Sequence, residues 1–91
     1  MVKKNNQPFY LIDEHGTKFW YFNNQLHRDD NPAVEYPNGD KTWYLYGKLH
    51  RLNGPAIEWA NIAKAWWYHG KRISCSSQEE FEKLIKLKWL W

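Results

Sequence analysis

A single cysteine, Cys75, and a single methionine, Met1, occur among the 91 residues. One thiol excludes an internal disulfide and a cysteine-built zinc site, and this usage suits a reducing compartment. Long apolar runs are also missing, and none approaches the ~18 residues that a membrane-spanning helix requires. The opening stretch Met1-Val2-Lys3-Lys4-Asn5-Asn6-Gln7-Pro8 is too polar for a secretory signal peptide, so a cytoplasmic setting without membrane engagement is expected. Neither sign of charge dominates. Thirteen Lys and Arg against ten Asp and Glu leave a net +3, which is compatible with an anionic partner without requiring one. Hydrolase and phosphate-loop signatures are absent: there is no Gly-x-Ser-x-Gly, no His-Glu-x-x-His and no Gly-rich phosphate cradle. An enzyme is therefore not expected, and neither is a cofactor.

What the chain has is aromatic residues and a period. Seven Trp, six Tyr and four Phe supply the large side chains that a core in so short a chain demands. Lys18, Lys41 and Lys64 recur at intervals of 23 residues, as do Trp20, Trp43 and Trp66. The block from Gly16 to Tyr36 returns from Gly39 to Trp59 and starts again at Lys64 before departing. Such an array stacks one supersecondary unit on the next, because no single unit can bury its own apolar face. Repeats display surface, so a binding protein is the first expectation.

Each period alternates short aromatic and β-branched runs with turn signals, the pattern of antiparallel hairpins. Asn23-Asn24, Tyr46-Gly47 and His69-Gly70 suit two-residue turns, and Asn38-Gly39 reads as the strongest type I′ signal. Pro32 and Pro55 mark strand boundaries, since proline cannot donate to a central ladder. On this register Leu45 pairs with Lys48, Tyr44 with Leu49, Trp43 with His50, Tyr36 with Lys41 and Val34 with Trp43. Alternation then gathers Trp20, Phe22, Val34, Tyr36, Trp43, Leu45, Ile57, Trp59, Trp66, Tyr68 and Ile73 on one face. The other face receives Tyr21, Tyr44 and Trp67 among Arg28, Glu35, Arg51, Glu58 and Arg72.

The predicted fold is mainly β: an antiparallel meander of hairpin repeats over residues 8–73, closed by one helix over 77–90. Ser77 and Glu80 form a capping-box pattern, and Glu79–Lys83 and Glu82–Lys86 are helical i,i+4 pairs. Phe81, Leu84 and Ile85 form a stripe able to close over the sheet. Leu87, Trp89, Leu90 and Trp91 exceed what that cover needs and predict a homo-oligomer contact, with intramolecular capping as the alternative.

The segment Trp43-Tyr44-Leu45-Tyr46-Gly47-Lys48-Leu49-His50-Arg51-Leu52-Asn53-Gly54-Pro55-Ala56-Ile57-Glu58-Trp59 resembles the short β-hairpin repeats of MORN-like proteins. Its Leu-His-Arg-x-x-Gly-Pro-Ala form is similar to one found in small phage proteins. The resemblance spans about residues 16–73. It implies a hairpin-repeat fold and a scaffold, dimer-module or lipid-binding role, in the host cytoplasm if phage-encoded. The sequence departs from the pattern at Asn31, where the second copy has Gly54, and at Ile73-Ser74, where His-Arg is due. The third copy therefore reads as a cap.

Two residue pairs recur with chemistry to offer. His27 and His50 share a face with Trp20 and Trp43, and their structural reading is an imidazole packed on indole and bonded to a backbone carbonyl. A metal role is disfavoured, because residues one period apart lie ~10 Å apart and no carboxylate or thiol recurs beside each His. Arg28 and Arg51, beside Tyr21, Tyr44 and Trp67, are suited to an anionic or planar partner. The competing reading pairs each Arg with Glu35 or Glu58 across the sheet. The expected function is that of a non-enzymatic, phage-type accessory or counter-defence protein. It would sequester an anionic, nucleotide-like ligand or block a host protein. The alternatives are a single-stranded nucleic-acid-binding module, for which the basic charge is modest, and an assembly protein.

Overall fold

Two kinds of turn, alternating along the chain, set the architecture. In a computed structural model that describes residues 7–88, both central residues of the first kind have positive φ. The values are 52° and 63° at Asn23-Asn24, 49° and 83° at Tyr46-Gly47, and 48° and 84° at His69-Gly70. These are the expected two-residue turns, whose twist matches that of the strands they join. The second kind is longer than expected. Gly39 N–H donates to the Tyr36 carbonyl at 3.0 Å, Tyr36 N–H donates to the Asp40 carbonyl at 3.0 Å, and Gly39 has φ 100°. This is a three-residue loop, a tight turn followed by one left-handed residue. It recurs at Asp13–Gly16 and Trp59–Ile62, where Gly16 and Ile62 take φ 88° and 70°.

Among the described residues ten strands and one helix result: β1 Phe9–Ile12, β2 Lys18–Phe22, β3 Gln25–Leu26, β4 Val34–Glu35, β5 Lys41–Thr42, β6 Tyr44–Leu45, β7 Lys48–Leu49, β8 Ile57–Glu58, β9 Lys64–Tyr68, β10 Lys71–Ile73 and α1 Gln78–Lys88. All pairings are antiparallel, in the order β1-β2-β4-β5-β8-β9-β10, with β3 beside β2 and β6 paired with β7. Gly47 N–H donates to the Leu26 carbonyl and Gly70 N–H to the Leu49 carbonyl, both at 2.8 Å, so each tight turn is tied to the preceding unit. Pro32 and Pro55 lie just outside β4 and β8. The units begin at Lys18, Lys41 and Lys64, and β1 adds a half-unit before them.

The extra loop residue corrects the register. Tyr44–Leu49 and Leu45–Lys48 pair as expected, and His50 N–H donates to the Trp43 carbonyl at 3.1 Å. Lys41, however, faces Glu35 and not Tyr36, and Val34 faces Thr42 and not Trp43. A one-residue slip exchanges faces. Val34 and Ile57 therefore leave the tryptophan face, and Glu35 and Glu58 join it. Lys18, Glu35, Lys41, Glu58 and Lys64 form one row of direct neighbours with alternating charge, and each such pair contributes roughly 0.2–1 kcal/mol. Phe19, Val34, Thr42, Ile57 and Ala65 form the parallel row on the other face.

The molecule is a plate of 45 × 31 × 16 Å. Helix α1 lies on the tryptophan face at one end, where Phe81 (0% exposed) packs with Trp66 and Ile73, flanked by Tyr68, Cys75, Leu84 and Ile85. The Ser77 hydroxyl accepts the Glu80 N–H at 3.1 Å, capping the helix. The reciprocal contact falls one residue early: the Glu80 carboxylate accepts the N–H of Ser76, at 2.8 Å, and not that of Ser77. Leu87 is exposed. Trp89, Leu90 and Trp91, with the expected helix end at residue 90, lie outside the described residues.

Candidate binding clefts

The histidines join one unit to the next. His27 Nδ1 accepts the backbone N–H of Tyr46 at 2.9 Å, and His50 Nδ1 accepts that of His69 at 2.8 Å. Each ring therefore carries its proton on Nε2 and not on Nδ1. For His27 that Nε2 proton is donated to Asp29 at 3.1 Å. The expected bond to a backbone carbonyl is replaced by one from a backbone N–H, because the two-residue turn of the following unit aims its N–H at the ring. Ring contact follows the same geometry: His27 lies 4.2 Å from the Tyr46 ring in a tilted pair, and His50 stacks on the His69 ring at 4.2 Å. Burial, and then the nearby His69, hold His50 below the ordinary imidazole pKa.

The arginines close each unit on itself. The Arg51 guanidinium lies 3.7 Å above the Trp43 ring, donates to the Pro55 carbonyl at 3.1 Å and meets Glu58 at 3.0 Å. In the first unit Arg28 lies 4.2 Å above Trp20, donates to the Pro32 carbonyl at 3.2 Å and sits 3.6 Å from Glu35. Gly54 accounts for the tighter second copy. A Cβ at that position would stand 2.8 Å from Arg51 Cζ, and the first unit has Asn31 there. The pairing with Glu35 and Glu58 thus forms, but on the tryptophan face. The chain has left β3 and β7 before each Arg, so strand alternation no longer fixes where the side chain goes.

Two open clefts lie on the tryptophan face. The larger, about 350 Å³, is lined by Trp43, Tyr44, Leu45, His50, Arg51 and Leu52, with Arg28, Asp29 and Asp30 from the preceding unit. The smaller, about 300 Å³, is lined by Trp20, Phe22, His27, Arg28 and Asp29, with Pro8 and Tyr46. Of the residues expected to share a site, Arg28, Tyr44, His50 and Arg51 meet at the larger cleft, and His27 with Arg28 at the smaller. Tyr21 and Trp67 line neither. Tyr21 stacks on Phe9 at 5.6 Å and Trp67 stands opposite Arg72, both pairs on the other face.

The clefts are one site built twice. Trp20, Phe22, His27 and Asp29 become Trp43, Leu45, His50 and Leu52 one period on, and Trp66, Tyr68, Ile73 and Cys75 one period further. That last set is the floor on which α1 rests. Gln78 fastens the helix there: its Oε1 accepts the Trp66 indole N–H at 2.8 Å and its Nε2 donates to the Leu52 carbonyl at 2.8 Å. The indole N–H groups of Trp20 and Trp43 are buried without an acceptor among the described residues. Sequence reasoning missed Gln78, Leu45 and Leu52 as site residues, although the 23-residue step that aligns the tryptophans also aligns the cleft positions. Among the described residues no three His, Cys, Asp or Glu side chains converge to hold a metal ion. Comparison of the chain with protein-family models, curated proteins and solved structures returned no match.

Proposed function

We propose that this chain is a non-enzymatic binding protein that blocks a partner protein through the repeated clefts of its tryptophan face. The carrying observation is that one cleft, a tryptophan flanked by a histidine and an arginine, is built twice, 23 residues apart, and stands open both times. Small proteins with Leu-His-Arg-x-x-Gly-Pro-Ala repeats of the phage type suit an accessory or counter-defence role directed at a host protein. Capture of an anionic, nucleotide-like ligand is the second reading, favoured by the meeting of Arg28, Tyr44 and Arg51 at one cleft. It ranks lower because both guanidinium groups are already engaged by a carboxylate, a carbonyl and an indole. A photo-crosslinking benzoylphenylalanine at Leu52, an exposed residue of the larger cleft, separates the two. The expected result in cells is one discrete protein adduct, missing when the same group replaces the exposed Tyr36. An adduct confined to nucleotide or nucleic acid, or equal protein labelling from both positions, rejects the reading.

A further inference from the structure

We infer that the cleft at Trp43 receives an amphipathic helix of the partner protein, one that carries a glutamine one turn before an aromatic residue. The inference rests on the protein-binding reading above and deepens it. The third unit supplies the template. Its floor of Trp66, Tyr68, Ile73 and Cys75 is covered by a helix that inserts Phe81 and bridges to the preceding unit through Gln78, three residues earlier. The larger cleft repeats that floor as Trp43, Leu45, His50 and Leu52, and Asp29, at the place of Leu52, lines it from the preceding unit.

The tryptophan at its centre adds a second mark. Trp43 is 7% exposed, and its indole N–H has no acceptor among the described residues, whereas the equivalent Trp66 donates to a helix side chain. A helix laid in this groove by its i, i+3 and i+4 side chains supplies that acceptor. Besides the floor residues, the two sites differ at a position that bears on the chemistry of the guest. Arg51 stands over the Trp43 ring, and the equivalent position in the third unit is Ser74. The Arg51 charge is already matched by Glu58 at 3.0 Å, so a neutral amide supplies the acceptor without placing a second carboxylate beside that pair. The preferred guest therefore reads Gln-x-x-Phe, as α1 does in Gln78-Glu79-Glu80-Phe81.

A fluorescent peptide copying residues 76–88, added to the full chain, tests this. Binding is expected, with the Trp43 indole N–H resonance shifting and that of Trp66 unmoved. Phe81→Ala in the peptide, or Leu52→Asp in the protein, should weaken binding by about tenfold or more, as loss of a central anchor does. Leu52 is exposed, so its replacement leaves the core intact. Gln78→Glu in the peptide should weaken binding by setting a second carboxylate beside Glu58, and Glu58→Gln in the protein should relieve that loss. No binding at millimolar peptide, or a shift confined to Trp66 as the peptide replaces α1, overturns the inference. If the Leu52 photo-adduct with a protein persists in that case, the binding reading stands and only the helical guest falls.

Discussion

At single positions the period is kept in some residues and broken in others, and stability should follow the difference. His50 holds the turn of the third unit through an unprotonated Nδ1, so His50→Ala should cost about 1–2 kcal/mol by leaving that N–H without its acceptor. A lowered urea midpoint at unchanged slope checks it. The same bond gives a pH dependence of known sign. The folded-state pKa of His50 lies below the ordinary 6.5, so above 6.5 both states are neutral and the stability is fully present. As pH falls below 6.5 the unfolded chain takes the proton first, and stability drops until the folded-state pKa is passed. His50→Gln should flatten this decline between pH 7 and the folded-state pKa, and an unchanged profile would assign the pH dependence elsewhere. Ile62 is the opposite case. It takes φ 70° with 85% exposure at a position where the earlier units have Gly16 and Gly39. A β-branched residue in the left-handed region costs roughly 1–2 kcal/mol, partly offset by the backbone entropy glycine loses. Ile62→Gly should therefore raise stability by about 1 kcal/mol, and a lower urea midpoint would show that no strain is held there.

At the level of elements, α1 and the sheet depend on few contacts. Phe81 is fully buried on the Trp66–Ile73 floor, so Phe81→Ala should cost about 3–5 kcal/mol and release the helix. Loss of the helical circular dichroism signal while the sheet signal persists is the expected outcome, and retention of both would mean that Leu84 and Ile85 suffice. The meander, its tight turns and the helix start were legible because their determinants are local: Tyr46-Gly47 for a two-residue turn, Ser77 for a cap. The loop at Pro37-Asn38-Gly39 was not, because Asn-Gly serves both a two-residue turn and the end of a three-residue one. Choosing wrongly moved Glu35 and Glu58 to the wrong face. The candidate site was legible in its Arg and His positions and not in its floor. Leu45 and Leu52 read as ordinary apolar residues until Ile73 and Cys75, one period on, are seen under α1.

For the whole molecule the question is whether the units are interchangeable. In a linear array each unit contacts only its neighbours, so stability is a sum of unit and interface contributions. Removing residues 41–63 joins Asp40 to Lys64 and keeps the phase. Glu35 then faces Lys64 in place of Lys41, Val34 faces Ala65 in place of Thr42, and the Asp29 carbonyl takes the place of the Leu52 carbonyl for Gln78. The shortened chain should unfold cooperatively in urea, with lower stability and with a slope reduced roughly in proportion to the surface lost. Removing residues 41–62 instead leaves one residue too many and turns every following strand over. That variant should fail to fold. If both deletions fail alike, the second unit holds contacts that the third cannot supply. The third groove would then cease to be a guide to the second, and the guest inferred for the Trp43 cleft would lose its template.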